Sequence, residues 1–162
     1  MNVDNLRWLY KINDNVFHVN LEDVTAEEAL RRPAPGGNSI TWTVGHLLRS
    51  RQFLLTYLGH PWSIGEAAEI AYKRGSTGDD EAGTFLPFER KLELWAESQE
   101  LLMKAFDDLT EEKLLGEAPP LGDFARVDTL ERRILFLYFH ETYHLGQLGL
   151  MRRLLGKEGA IK

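Results

Sequence analysis

An all-α domain, a four-helix bundle with a long crossover connection after helix two, is what this 162-residue chain predicts. Four long stretches repeat apolar residues every three or four positions, the period that lays a stripe along one side of a helix. No run of alternating β-branched residues bounded by turn residues stands out, so a sheet has little support. After the second long stretch, Gly59 to Thr84 loses the period and becomes polar and rich in glycine. The lengths show no tandem repeat, and residues 1–162 read as one domain.

The first long helix is expected from Val3 to Val19, with Leu6, Leu9, Tyr10, Asn13, Val16 and Phe17 on its buried stripe and Arg7, Lys11 and Asp14 outside it. Thr25 followed by Glu28 is a capping-box pair, so a short helix should span Ala26 to Arg32 and stop before Pro33. Pro33 to Asn38 then forms a loop. Ser39 caps the second long helix, on which Ile40, Val44, Leu47, Leu48, Leu54, Leu55 and Leu58 recur around one side until Gly59, with Pro61 beyond. The following connection is long enough to serve as a crossover or a lid, with one or two turns over Glu66 to Lys73 and a polar centre from Gly75 to Asp80. Phe88 to Leu109 is the third long helix, with Leu92, Trp95, Leu102 and Phe106 near one face, and Thr110 starts a small turn. After a loop at Pro119-Pro120, Asp128 and Glu131 repeat the capping-box pattern. The last helix should continue to Leu155 before Gly156, about 28 residues or roughly 42 Å.

Composition removes several classes of function. With 43% hydrophobic and 27% charged residues the balance is that of an ordinary globular protein. The apolar run Ile134 to Phe139 is far shorter than the ~20 residues of a membrane span. Met1 to Asn5 has neither a basic start nor an apolar core, so no secretory signal is read and a cytoplasmic location is expected. A net charge of −6 disfavours a nucleic-acid partner, which calls for a concentrated basic surface. Zero cysteines exclude disulfides, thiolate-bound zinc, iron–sulfur clusters and a cysteine nucleophile. Any thiol used here must come from outside.

The run His140-Glu141-Thr142-Tyr143-His144 puts two imidazoles one helical turn apart on a single face, which is metal-ligand spacing. The competing reading is a pair of partly buried histidines, each satisfied by a hydrogen bond within an aromatic cluster of Tyr138, Phe139 and Tyr143. His46, on the second long helix, is where a bundle can bring a third imidazole opposite the pair, giving an open metal site. Taken alone it is an ordinary histidine on an apolar helix face. His18 and His60 carry no ligand assignment.

Glu141 also completes the His-Glu-x-x-His pattern of zinc proteases, in which the glutamate is the general base. The rest of the chain disagrees: Gln147 and Leu150 stand where the extended pattern needs glycine and histidine, and only 18 residues follow His144. Glu141 lies about 100° around the helix from His140 and about 60° from His144, so it reads as either a base at the edge of the site or a solvated glutamate pairing with arginines. Trp42 and Tyr143 are candidates to line a substrate cavity, against the alternative of core packing. Gln147 is a candidate to bind substrate or water, against surface solvation. Gly146 and Gly149 cost about 1 kcal/mol each inside a helix, which points to close helix contact or room for a ligand, against the alternative of simple tolerance in a long helix. Glu89, Glu93, Glu97 and Glu100 better suit a solvated face than extra ligands.

Trp42-Thr43-Val44-Gly45-His46-Leu47-Leu48, followed much later by His140-Glu141-Thr142-Tyr143-His144-Leu145-Gly146-Gln147-Leu148 and the ending Arg152-Arg153-Leu154-Leu155-Gly156, resembles the DinB (DNA-damage-inducible) superfamily of metal-dependent helical-bundle proteins. The resemblance covers nearly the whole chain. It implies a four-helix bundle with a long crossover, a divalent ion, zinc or nickel foremost, held by His46, His140 and His144, and a homodimer. It also implies kinship with transferases and isomerases that use bacillithiol, mycothiol or glutathione, and with a branch of metal-dependent hydrolases.

Three neutral histidines leave a divalent ion at least one open position, whereas a closed structural site usually has four protein ligands. Two enzymatic expectations follow. One is transfer of a small thiol cofactor to an electrophile held in the bundle cavity. The alternative is hydrolysis by metal-activated water with Glu141 as base. A third reading, of a different class, is a non-catalytic dimerising bundle. Imidazole suits several metals alike, so the ion and the substrate are not fixed by sequence, and no residue links the chain to DNA damage.

Overall fold

The computed structural model describes residues 2–33, 36–76, 78, 83–118 and 128–160. The described residues are all-helical, with α1 (Val3–Leu21), α2 (Ala26–Leu30), α3 (Ile40–Tyr57), α4 (Glu66–Ala71), α5 (Phe88–Asp107), α6 (Glu111–Leu115) and α7 (Leu130–Leu154). One isolated antiparallel bridge joins Glu117 to Thr129. No described helix is long and apolar enough to cross a membrane. The loop expected at Pro119-Pro120 and half of the polar centre expected from Gly75 to Asp80 lie outside the described residues.

Polar side chains fix the starts of α1, α2, α3, α6 and α7. Asn2 accepts from the Asn5 backbone N–H, Ser39 from Trp42 and Thr110 from Lys113, each covering a donor that the first turn leaves free. Thr25 and Glu28 form the full reciprocal capping box. At α7 the start differs from expectation. Thr129, not Asp128, is the cap and accepts from the Arg132 N–H at 3.3 Å. The backbone gives the reason: the Ala118 N–H donates to the Asp128 carbonyl and the Leu130 N–H to the Gly116 carbonyl, so Thr129 between them is held extended. Asp128 instead accepts from the Arg132 guanidinium at 2.5 Å.

The four long helices close a ring of contacts, α1 on α7, α7 on α3, α3 on α5 and α5 on α1. Side-chain partners give the directions. Tyr10 reaches Ile134 and Asn20 reaches Leu145, so α1 and α7 run parallel. His46 meets His140 while Arg133 reaches Tyr57, so α3 and α7 are antiparallel. Lys91 bonds Thr41 and Arg51 bonds Ser98, so α3 and α5 are parallel. The connection from 58 to 87 therefore carries the chain back to the end at which α3 began.

The core has two apolar parts. Phe17, Leu47, Leu48, Trp95, Leu145 and Leu148 belong to one. Leu6, Tyr10, Leu54, Leu102, Phe106 and Ile134 belong to the other. Between them in sequence, on every long helix, lies one polar residue of a shared layer: Asn13, Arg51, Ser98 and Glu141. Arg51 donates from Nε to Glu141 Oε2 at 2.8 Å and from Nη2 to Oε1 at 3.1 Å, with both side chains at most 3% exposed. Its Nη1 reaches Ser98 Oγ at 3.1 Å, and its guanidinium lies 3.3 Å from the centre of the Trp95 ring. Asn13 Nδ2 donates to Glu141 Oε1 at 3.2 Å. Trp95 is itself stacked on Phe17 at 3.7 Å and donates to Asp14. All four long helices are thus joined through one ion pair whose charges are fully engaged.

Removing one partner strands the other charge in the core. Arg51→Met should lower unfolding free energy in denaturant titration by about 3–5 kcal/mol, and Glu141→Leu by a similar amount. The double variant should recover much of that loss, because it leaves neither charge uncompensated.

Candidate metal centre

His46 comes from α3, and His140 and His144 from α7. The ring centroids of His46 stand 5.0 Å from those of both partners, and His140 and His144 stand 4.5 Å apart. One nitrogen from each ring lies within 4.8 Å of the other two. The helix spacing explains the pair on α7: residues four apart project from the same side, and here that side faces α3. His46 faces back because Leu47, Leu54 and the neighbouring core residues bury the adjoining side of α3.

Hydrogen bonds select the tautomers. His46 Nδ1 lies 2.7 Å from the Tyr72 carbonyl, which only accepts, so Nδ1 carries the proton and Nε2 keeps its lone pair. His144 Nδ1 donates in the same way to Gln147 Oε1 at 2.7 Å, freeing its own Nε2. These are the outer contacts that orient metal-ligating histidines. His140 Nε2 lies 3.1 Å from His46 Nε2, and its buried Nδ1 has no hydrogen-bond partner among the described residues.

The Tyr72 carbonyl reaches His46 because Gly45 leaves room for the tyrosine. A Cβ on Gly45 would meet the Tyr72 ring at 2.5 Å, far inside contact distance. Tyr72 is fully buried, and its hydroxyl accepts from the Leu86 N–H. On the other side of His46, Trp42 stacks in parallel at 4.8 Å and donates from Nε1 to Ser76 Oγ at 2.8 Å.

The electrostatics favour neutral rings. Burial, followed by the neighbouring charges of His144 and Arg49 and against the bond to Tyr72, leaves the His46 pKa lowered to about 4. Burial and then the other two imidazoles lower that of His140 to about 3. Burial also lowers that of His144, opposed by the Gln147 hydrogen bond. All three therefore hold lone pairs at neutral pH, the form that binds metal. Ligation of zinc by tetrahedral imidazoles, with bonds of about 2.0–2.1 Å, separates ligand nitrogens by roughly 3.3 Å, close to the His46–His140 separation. The donor set, its tautomers and its spacing fit a divalent ion.

The other expected site residues fall differently. Trp42 is buried against His46 and forms a wall of the cluster. Tyr143 is more than half exposed and meets His144 edge-on at 5.4 Å, at the rim. Gln147 orients His144. Glu141 is neither a solvated glutamate nor a member of the histidine cluster, since its carboxylate is buried on Arg51 and Asn13. The α7 glycines also separate. A Cβ on Gly149 would stand 3.2 Å from Asn20 Oδ1, whereas one on Gly146 would meet open space. His18 and His60 lie beside Asp14 and Asp108, away from the cluster.

Sequence reading missed Arg51, Tyr72 and Asn13 as parts of this arrangement. Arg51 did leave a trace: it lies within the stripe formed by Leu47, Leu48, Leu54 and Leu55, where a charge needs a buried partner. A backbone carbonyl such as that of Tyr72 leaves none.

The fold and site define an all-helical domain in which two antiparallel helices bring three neutral imidazoles together. The chain belongs to the DinB superfamily, whose family model matches residues 10–148 and so spans all three histidines. Among solved structures it resembles a conserved protein from Enterococcus faecalis, with a TM-score of 0.71 and 21% identity over 97% of this chain and 99% of that one. That likeness concerns the fold. No curated protein matches the chain.

The lowered histidine pKa values set a pH dependence for the metal-free protein. In the unfolded chain these rings gain protons near pH 6.5, whereas folded His46 and His140 resist protonation down to about 4 and about 3. The unfolded state then binds more protons, so stability falls as pH drops from about 6.5 towards 4. Thermal melts of chelator-treated protein should show this decline, and His140→Phe should flatten it. Equal slopes for the two proteins would contradict the assignment.

Proposed function

We propose that this protein is a divalent-metal-dependent transferase that joins a small thiol, of the bacillithiol, mycothiol or glutathione kind, to an electrophile at the His46–His140–His144 centre. The convergence of three neutral imidazoles with two tautomers fixed from outside carries this reading. When bound, a divalent ion such as zinc or nickel supplies positive charge that lowers the proton affinity of a coordinated thiol. The chain itself supplies no cysteine, so the sulfur nucleophile belongs to the substrate.

The residues around the centre have separable tasks. Tyr72 and Gln147 hold the His46 and His144 rings in the ligating tautomer. Trp42 closes the wall behind His46 and keeps water from that side. Tyr143 and Phe139, both more than half exposed, offer apolar surface near the rim for an electrophile's carbon skeleton. As the sulfur–carbon bond forms, the electrophile releases its leaving group and the thiol proton goes to solvent, because Glu141 is committed to Arg51. That commitment removes the one motif-linked base for hydrolysis, so thiol transfer is the better supported reaction.

A second copy of the chain is the proposed partner. Leu150 and Leu154 expose an apolar stripe along the C-terminal part of α7, and Trp8 does so on α1. Beside the stripe, Ile12, Val16, Gly146 and Gly149 line a groove of about 450 Å³ between those two helices. A stripe and a groove on one face can exchange partners across a two-fold axis.

Metal analysis of purified protein should find about one zinc or nickel ion per chain in wild type, as a three-ligand site requires, and a large loss in His46→Ala. Loaded wild type should conjugate monochlorobimane only when thiol is supplied, with at least a tenfold loss of turnover in His46→Ala. Turnover on an ester and amide panel without thiol would instead indicate hydrolysis, and absence of metal would sink the enzyme reading. Light scattering should give a dimer mass for wild type and a monomer mass for Leu150→Lys, whose charge would sit at the contact.

A further inference from the structure

Along one side of α3, Trp42, His46, Arg49 and Phe53 follow one another at spacings of four, three and four residues. Such residues are surface neighbours on a helix. The Arg49 guanidinium lies 4.6 Å from the centre of the Phe53 ring, which holds its plane by a cation–π contact. Its Nε is buried, yet has no hydrogen-bond acceptor among the described residues. No carboxylate pairs with Arg49 among those residues, in contrast to Arg51, two positions on, whose fork is filled by Glu141. Its positive charge is felt at His46, where it opposes protonation of the ring.

A guanidinium beside the histidine cluster that no carboxylate neutralises among the described residues points to an anion supplied from outside. The arginine fork matches an anion with two coplanar oxygens. One such cation, on a chain of net charge −6, suits a single negative charge better than a phosphate. We infer that Arg49 is a specificity-determining residue for the proposed reaction, binding a carboxylate of the thiol substrate while the sulfur occupies the histidine centre. This inference rests on the thiol-transfer reading and narrows it to carboxylate-bearing thiols. It also gives the partly buried Arg49 a task distinct from that of the wall residue Trp42 and the orienting residue Gln147.

Two probes of nearly equal shape separate charge from sulfur: 3-mercaptopropionate and its neutral amide, 3-mercaptopropionamide. Calorimetric titration of the zinc-loaded protein should show wild type preferring the acid by roughly tenfold or more, the worth of a charge-assisted hydrogen bond. Arg49→Gln should bring the ratio near one while leaving zinc content, thermal midpoint and amide binding unchanged. Arg49→Lys, which keeps the charge but loses the fork, should restore part of the preference. A purely structural role would weaken both probes together. The inference is overturned if the preference survives in Arg49→Gln, if both probes weaken equally, or if wild type prefers neither. Should wild type bind neither probe, the carboxylate assignment and the thiol reading fall together, and zinc content judges the metal centre separately. Should wild type bind both equally, the thiol reading stands and only Arg49 loses its role.

Discussion

The buried ion pair of α3 and α7 governs the rest of this structure. Arg51 and Glu141 sit between two apolar layers, where an unpaired charge would cost several kcal/mol, so the helices that carry them must meet with both forks aligned. Apolar side chains tolerate sliding and rotation of one helix on another far better than a bidentate pair does. Asn13, Ser98 and the Trp95 ring extend the constraint to α1 and α5. A rotation of α7 that kept its leucines buried but turned Glu141 away would leave both charges without partners.

This constraint reaches the histidines through the helix itself. Glu141 is the residue after His140, so fixing its direction fixes those of His140 and His144 about the axis of α7. Arg51 lies five residues after His46 and does the same for α3. The chemistry-bearing face and the pinned face are different sides of the same two helices. The glutamate that looks like a catalytic base in the sequence thus acts on the cluster from behind, fixing the direction of the imidazoles beside it.

Outer contacts then refine the centre. Gly45 admits the Tyr72 ring, Tyr72 presents its carbonyl to His46, and Gln147 Oε1 accepts a hydrogen bond from His144 Nδ1–H. The result is two Nε2 lone pairs directed towards a shared point and a third imidazole, His140, beside them. Burial keeps all three rings neutral in a place where three protonated rings would repel one another. The small residue at position 45 is therefore tied to ligand orientation through a segment that carries little helical period of its own.

Much of this could be read from the residues in order. Three-and-four periodicity marks the long helices, Thr25 with Glu28 marks the start of the short α2, the hydroxyl of Ser39 marks that of α3, and the spacing of His140 and His144 marks a shared face, because each signal is local to one turn of backbone. The start of α7 was misplaced by one residue because Thr129 is held by a bridge to Glu117, a partner distant in sequence. The sequence by itself determined the helical class, the paired imidazoles and the absence of any cysteine. Only the tertiary structure decided that α3 runs parallel to α5, that His46 meets the pair, and that Glu141 turns inward to Arg51. Those outcomes depend on rotations and directions of whole helices, which are set by contacts between residues up to about a hundred positions apart rather than by any local period.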